Sequence, residues 1–161
     1  MLKLRMLKIE DIQIIKSSPQ YPPEFAELDY ALRDGGWLDH YSTKTGTEIM
    51  IAEDRDELIG FSILSKEEGG SAEFRIAIHP DKLGMGLGKT LATLTLIQGF
   101  SSTEIFRIWL IVRKNNPRAK KLYEKLHFKN TGECTEEING KLVDFYRMEI
   151  DRETFLKVNV L

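Results

Sequence analysis

The chain has 161 residues, 42% hydrophobic and 30% charged, which is typical of a soluble globular protein with one well-buried core, so we predict a single domain over residues 1–161. Its net charge of −2 gives no broad attraction to nucleic acid or to a membrane, and neither is expected as a partner. One cysteine cannot form an internal disulfide, and one cysteine with three scattered histidines cannot make a structural zinc site, so we expect no metal.

The first 45 residues predict a strand and two helical stretches. Apolar and basic residues alternate over 2–8 as in a strand, and Asp11 is placed to cap a short helix. A second helical stretch opens at Pro22 and breaks at Gly35-Gly36. The chain lacks both the ~20 apolar residues of a membrane span and the apolar core of a signal peptide, so we expect a cytoplasmic protein.

The middle of the chain predicts an antiparallel pair of strands at 48–52 and 58–64, joined by a polar turn. A third strand over 72–79 alternates in polarity. A glycine-rich loop follows, and then a helix over about 86–99.

The last third begins with a strongly apolar strand over 105–112 and a helix over 116–126. Strands at 128–133 and 142–150 flank Asn139-Gly140, a strong signal for a type I′ hairpin. The chain as a whole predicts an α/β (α+β) fold with a mixed, mostly antiparallel central sheet and helices on both faces.

The most specific local feature is the glycine-rich loop between the strand at 72–79 and the next helix. Its alternate glycines leave backbone N–H groups uncovered, and the helix begins with the positive end of its dipole beside them. Together these features predict an anion site, whereas the alternative is a tight turn with nothing bound. The residues expected to hold the anion are Leu83, Gly84, Met85, Gly86, Leu87, Gly88 and Lys89.

Two nucleotide-binding loops compete for this segment. A dinucleotide fingerprint needs a glycine where Lys89 stands, so that interpretation fails. A P-loop NTPase motif matches Gly88-Lys89-Thr90, but Leu83 replaces its first glycine. The next apolar strand ends in Arg113-Lys114 and not in a magnesium-binding Asp, so an NTPase is the weaker alternative.

The loop also resembles that of the GNAT superfamily of N-acetyltransferases, Gln/Arg-x-x-Gly-x-Gly/Ala, except that Leu83 takes the first position. The segment from Asn116 to Phe128 resembles the second GNAT signature, Asn-x-x-Ala-x-x-x-Tyr-Glu-x-x-Gly-Phe, with His127 in place of glycine. Within the superfamily, residues 46–150 look most like the spermidine and diamine N-acetyltransferases and the N-terminal acetyltransferases of ribosomal proteins.

The resemblance implies an acetyl-coenzyme A-dependent enzyme without a metal. It implies that Asn116 and Ala119, three residues further along the chain, bind the pantetheine arm. It also implies that Tyr123 protonates the departing thiolate. It also implies that the backbone amides of the strand before the loop, at Ile76, Ala77 and Ile78, support the developing oxyanion. An alkyl ammonium must lose a proton before it attacks, and Glu73 is the candidate base. The alternative for Glu73 is a solvated strand residue or a partner of a nearby cation.

In this family the acceptor amine is selected by residues 20–45, which are rich here in acidic and aromatic side chains. This composition suits a small cationic amine or a polyamine, and a peptide N-terminus is also open. These side chains are Glu24, Glu27, Asp29, Asp34, Asp39, Tyr21, Tyr30, Trp37 and Tyr41. An ordinary solvated helix face is the alternative. A degenerate acyl-coenzyme A sensor is a further candidate function, and a homodimer is a candidate assembly.

Overall fold

The structure, a computed structural model, describes residues 1–159, so the last two residues of the predicted domain lie outside it. The strands are β1 (Lys3–Met6), β2 (Thr47–Asp54), β3 (Glu57–Lys66), β4 (Ser71–Ile78), β5 (Arg107–Arg113), β6 (Lys129–Ile138) and β7 (Lys141–Asp151). The α-helices are α1 (Ile9–Lys16), α2 (Trp37–Tyr41), α3 (Leu87–Phe100), α4 (Pro117–Lys125) and α5 (Arg152–Asn159).

These strands form one sheet in the order β1-β2-β3-β4-β5-β7-β6. Strands β4 and β5 pair in parallel, whereas the pairs β1–β2, β2–β3, β5–β7 and β6–β7 are antiparallel. The predicted mixed, mostly antiparallel α/β fold is therefore confirmed. No helix in residues 1–159 is both long enough and apolar enough to cross a membrane.

The chain packs as two compact units. The first unit contains residues 1–65 and 75–95, and the second contains residues 66–74 together with the chain from Leu96 onward. Strand β4 contributes its first half to the second unit and its second half to the first. The single domain stays a prediction.

The first unit is built around a core on β2 and β3. Ile51 and Ile63 are fully buried there, and Phe61 is nearly so. Asp11 lies in the first turn of α1 and accepts a 2.7 Å hydrogen bond from the backbone N–H of Lys8, so it supports the helix start from inside the helix. The second helical stretch is a 3-10 segment over Pro23–Leu32, with a non-helical residue at Phe25.

The second unit contains the predicted hairpin. Asn139 and Gly140 both have positive φ, 53° and 79°, and Ile138 pairs with Lys141, so the two-residue turn is confirmed. The chain then continues into α5, which the sequence did not predict. Arg152 at its start donates to the carbonyl oxygens of Phe100, Ser102 and Ile105, and these bonds fix α5 to the segment after α3.

Candidate functional site

The predicted anion loop follows β4 in the first unit. Gly84 and Gly86 both hold positive φ, 78° and 74°, immediately before α3 begins at Leu87. A Cβ on Gly86 would meet nothing within 4 Å, so φ and not crowding requires glycine there. The uncovered backbone N–H groups of the loop suit an anionic ligand, and so does the first turn of α3, which contains no acidic residue.

Leu83 and Met85 have different environments in this loop. Leu83 is partly buried and packs against the hydrophobic core of the first unit, whereas Met85 is 66% exposed. An apolar anchor at Leu83 replaces the polar side chain that the resembled motif has at this position. The loop is thus held by hydrophobic packing, while Lys89 is exposed in the first turn of α3.

The end of β4 is held on two sides. The Tyr21 hydroxyl donates a 2.6 Å hydrogen bond to the carbonyl of Ile78, and the N–H of His79 donates a 2.8 Å bond to Ile59. Burial raises the pKa of Tyr21, so its hydroxyl keeps its proton and stays a donor. No local sequence pattern predicts this bond between residues 57 positions apart.

The His79 side chain caps the turn that follows β4. Its Nδ1 accepts a 3.1 Å bond from the N–H of Asp81, at the start of the 3-10 turn Pro80–Lys82. His79 therefore stabilises the turn at the entrance of the glycine-rich loop.

In the second unit, Asn116 is the N-cap of α4. Its Oδ1 accepts a 3.2 Å hydrogen bond from the N–H of Ala119, and Pro117 occupies the first helical position. The cap uses the side-chain oxygen and leaves the Nδ2 group as the atom of Asn116 that would donate to a ligand.

Tyr123 lies on the buried face of α4. It is 8% exposed, and its ring makes edge contacts with Phe74 and Phe128 at centroid distances of 6.2 and 5.6 Å. These contacts restrict the ring to one orientation and therefore fix where its hydroxyl points. Tyr123 can therefore be a core aromatic side chain and a positioned proton donor at the same time.

Glu73 is buried, at 7% exposed, on the half of β4 that belongs to the second unit. It lies opposite Trp109 where the parallel pairing of β4 with β5 ends, so Ile76 to Ile78 lie beyond that paired stretch. The alternative that Glu73 is a solvated strand residue is wrong, because Glu73 and Phe74 are both buried. Alternating polarity did not reveal that this strand is covered on both faces.

Two aromatic side chains of residues 20–45, Trp37 and Tyr41, form a cluster with Arg75 that the sequence analysis did not predict. The Arg75 guanidinium lies over the rings of Trp37 and Tyr41, 5.1 and 5.7 Å from their centroids, and its Nε donates a 2.8 Å bond to the Tyr41 hydroxyl. Among residues 1–159, no three His, Cys, Asp or Glu side chains converge as a metal site.

With this geometry established, the comparisons with known proteins identify the family. Residues 10–128, which include both the glycine-rich loop and the segment from Asn116 to Phe128, match the model of the acetyltransferase (GNAT) family. This chain is a GNAT family member. The matched region contains the whole glycine loop, which therefore lies in an acetyltransferase domain and not in a P-loop NTPase.

The GNAT chain resembles polyamine acetyltransferases. The spermidine N(1)-acetyltransferase of Vibrio cholerae is 39% identical over 88 residues, 53% of this chain and 51% of the relative, so the match spans about half of that protein. A mutant form of the spermidine/spermine N-acetyltransferase of Vibrio cholerae superposes with a TM-score of 0.77 at 29% identity, covering 99% of both chains. The spermidine N-acetyltransferase of the same organism in complex with CoA and spermine gives a TM-score of 0.74 at 27% identity, covering 96% of this chain and 98% of that one.

Proposed function

We propose that this chain is an acetyl-coenzyme A-dependent N-acetyltransferase that acetylates a primary amine by direct attack in a ternary complex. The observation that carries the proposal is the loop in which Gly84 and Gly86 hold positive φ directly before the 14-residue helix α3. Such a loop exposes backbone N–H groups beside a helix N-terminus, which suits a diphosphate. The family match and the CoA bound by a similar structure support the same cosubstrate.

In this proposal each part of the cosubstrate has its own protein partners. The amides from Leu83 to Lys89 hold the diphosphate, and the amides of Ile76 to Ile78 hold the acetyl carbonyl. Asn116, through its Nδ2 group, and Ala119 hold the pantetheine arm. Because Tyr21 and Ile59 fix the peptide between Ile78 and His79, the strand amides meet the carbonyl without reorganising.

Bound acetyl-coenzyme A supplies an activated acetyl group, and the protein manages two protons. Glu73 accepts the proton that the acceptor ammonium must lose before it attacks, directly or through a water. Tyr123 donates a proton to the sulfur that leaves. Both side chains are buried in the second unit, and this supports the roles because packing limits the positions from which each group can exchange a proton.

The test of the chemistry is Tyr123→Phe. We expect kcat to fall by about 100-fold or more while coenzyme A binding, measured by calorimetry, stays within about twofold. Tyr146→Phe is the matched control, because it also removes one hydroxyl from a partly buried ring in the second unit. A Tyr123→Phe enzyme as fast as the Tyr146→Phe control would remove the acid from the mechanism.

A second candidate function is an acyl-coenzyme A sensor, which the departures at Leu83 and His127 favour. The sensor binds the cosubstrate without turnover, so thiol release in a panel of amines separates the two. An enzyme releases free coenzyme A with at least one amine, whereas a sensor binds acetyl-coenzyme A and releases none.

The acceptor, location and assembly belong to the same proposal. A polyamine acceptor is supported by the names of the similar proteins, and a peptide N-terminus stays a prediction without further support. A reducing cytoplasm suits a chain with a single cysteine, Cys134. The homodimer also stays a prediction, which size-exclusion chromatography with light scattering would check.

A further inference from the structure

Helix α3, which begins at the glycine-rich loop, buries a hydroxyl group in the first unit. Within residues 87–95 of this helix, the buried side chains are those of Leu91, Ala92 and Thr95, all fully buried. The Thr95 hydroxyl donates a 2.8 Å hydrogen bond to the carbonyl of Leu91, one turn earlier in the helix. It also shares a 2.8 Å hydrogen bond with the hydroxyl of Ser62 on β3, which is fully buried as well. Two buried hydroxyls therefore connect α3 to β3.

This hydrogen bond constrains α3 in a way that the apolar contacts around it do not. The hydrophobic effect has no direction, so packing of Leu91 and Ala92 tolerates a small shift of the helix. A hydrogen bond weakens steeply with distance and angle, and a buried hydroxyl that loses its partner bears the full cost of desolvation. Thr95 lies only about 9 Å along the helix from Lys89, at about 1.5 Å per residue, so the bond fixes the first turn of α3 relative to β3.

The same strand also holds the other end of the loop. The N–H of His79, at the loop entrance, donates its 2.8 Å bond to the carbonyl of Ile59 on β3, three residues before Ser62. The loop is thus attached to β3 before its glycines through His79 and after them through Thr95. Glycines have little conformational preference of their own, so these two attachments set the positions of the N–H groups between them.

We propose that Thr95 and Ser62 are positioning residues for coenzyme A, which act through the N–H groups of the loop and of the first turn of α3. This inference rests on the proposed function, because it requires the loop to hold the diphosphate. Several N–H groups must converge on one anion, so a displaced helix start weakens binding. A buried polar side chain can fix the position of one element against another while adding little stability, as a buried Asn does in coiled coils.

The experiment uses the full chain with Thr95→Val and Ser62→Ala combined. This double variant removes both hydroxyls, keeps the shapes of the side chains and leaves no partner unpaired, so its stability in urea should stay close to wild type. We expect the Kd for coenzyme A, measured by calorimetry, to rise about tenfold. With an amine that the wild type acetylates, KM for acetyl-coenzyme A should rise similarly, while kcat stays within about twofold because Glu73 and Tyr123 belong to the second unit.

Two further variants serve as controls. Thr47 and Ser65 form another hydroxyl pair at 2.8 Å, between β2 and β3, where the strand pairing itself fixes the register. Thr47→Val with Ser65→Ala should therefore leave the Kd within about twofold of wild type. Thr95→Ser keeps the hydroxyl and loses only a methyl group, and it should also bind coenzyme A within about twofold of wild type.

The outcomes separate this inference from the function on which it rests. An unchanged Kd in the double variant at Thr95 and Ser62 would overturn the inference, and so would an equal rise in the variant at Thr47 and Ser65. Loss of affinity in Thr95→Ser would assign the effect to the methyl group and not to the hydrogen bond. A double variant that did not fold would show that the bond serves stability, which also overturns the inference. A wild type that bound no coenzyme A would instead refute the proposed function.

Discussion

At the scale of single residues, His127 shows how a departure from the family pattern is accommodated. It has φ of 73°, in the left-handed region that favours glycine. The N–H of His127 bonds Glu124, and the N–H of Phe128 bonds Tyr123, which is the Schellman arrangement at a helix end. The helix thus ends as in the family, with the strain retained, and Tyr123 keeps its contact with Phe128.

We therefore predict that His127→Gly stabilises the protein. Relief of the left-handed strain is worth about 1–2 kcal/mol, and the extra freedom of glycine in the unfolded chain offsets about 0.4–1 kcal/mol of it. The net gain in the free energy of unfolding, measured by urea titration, should be roughly 0.5–1 kcal/mol. His127→Ala keeps the strain and should give no gain, so an equal gain in both variants would contradict this explanation.

At the scale of elements, the two two-residue hairpins use the same turn with different residues. Arg55 and Asp56 between β2 and β3 have positive φ of 54° and 65°, like Asn139 and Gly140 between β6 and β7. The second pair is the preferred sequence for this turn, whereas the first pair is not. Long strands with a buried face, such as β2 and β3, set their own register and impose the turn on unsuitable residues.

Exchanging the turn residues tests this explanation. Arg55→Asn with Asp56→Gly should raise the free energy of unfolding by about 1 kcal/mol, because both positions then suit positive φ. The reciprocal change, Asn139→Arg with Gly140→Asp, should lower it by about 1–2 kcal/mol. Urea titrations of both double variants check the prediction, and a loss of stability in the first would show that Arg55 or Asp56 makes a favourable contact of its own.

The comparison of the two hairpin turns also explains which parts of the fold could be predicted from the sequence. The signal carried by two neighbouring residues was reliable: the Asn139-Gly140 turn forms as predicted. The turn at Arg55-Asp56 was predicted too long, because the polar residues at the ends of β2 and β3 were assigned to the turn as well. The hydrogen bond between Arg75 and Tyr41 was not predicted, because it joins β4 to α2 across more than 30 residues and no local sequence pattern indicates such a contact.

At the scale of the whole molecule, stability in acid depends on carboxylates that are ionised and bonded in the fold. Asp11 is an example, because it is nearly buried and receives 2.8 and 2.9 Å bonds from Arg5, which also bonds Glu53 at 2.9 Å. These bonds link β1, α1 and β2. The pKa of Asp11 is lowered, first by Arg5 and then by the backbone N–H of Lys8.

A carboxyl whose pKa is lower in the folded state than in the unfolded state stabilises the fold only while it is ionised. The contribution of Asp11 is therefore complete above the unfolded pKa of about 3.9 and is lost as the pH falls through its lower folded pKa. Asp11→Asn should cost about 2–3 kcal/mol at pH 7, since it leaves the Arg5 charge without its main partner.

This difference should shrink as the pH falls below the unfolded value of about 3.9 and through the lower folded pKa of Asp11, because the wild-type carboxyl then becomes protonated as well. Urea titrations of wild type and Asp11→Asn across this range measure it. Asp34→Asn is the control: Asp34 has 92% side-chain exposure in its pair with Lys16, and its loss should change stability by no more than about 0.5 kcal/mol. A difference for Asp11→Asn that persisted unchanged at low pH would mean that shape and hydrogen bonding, and not charge, hold this junction together.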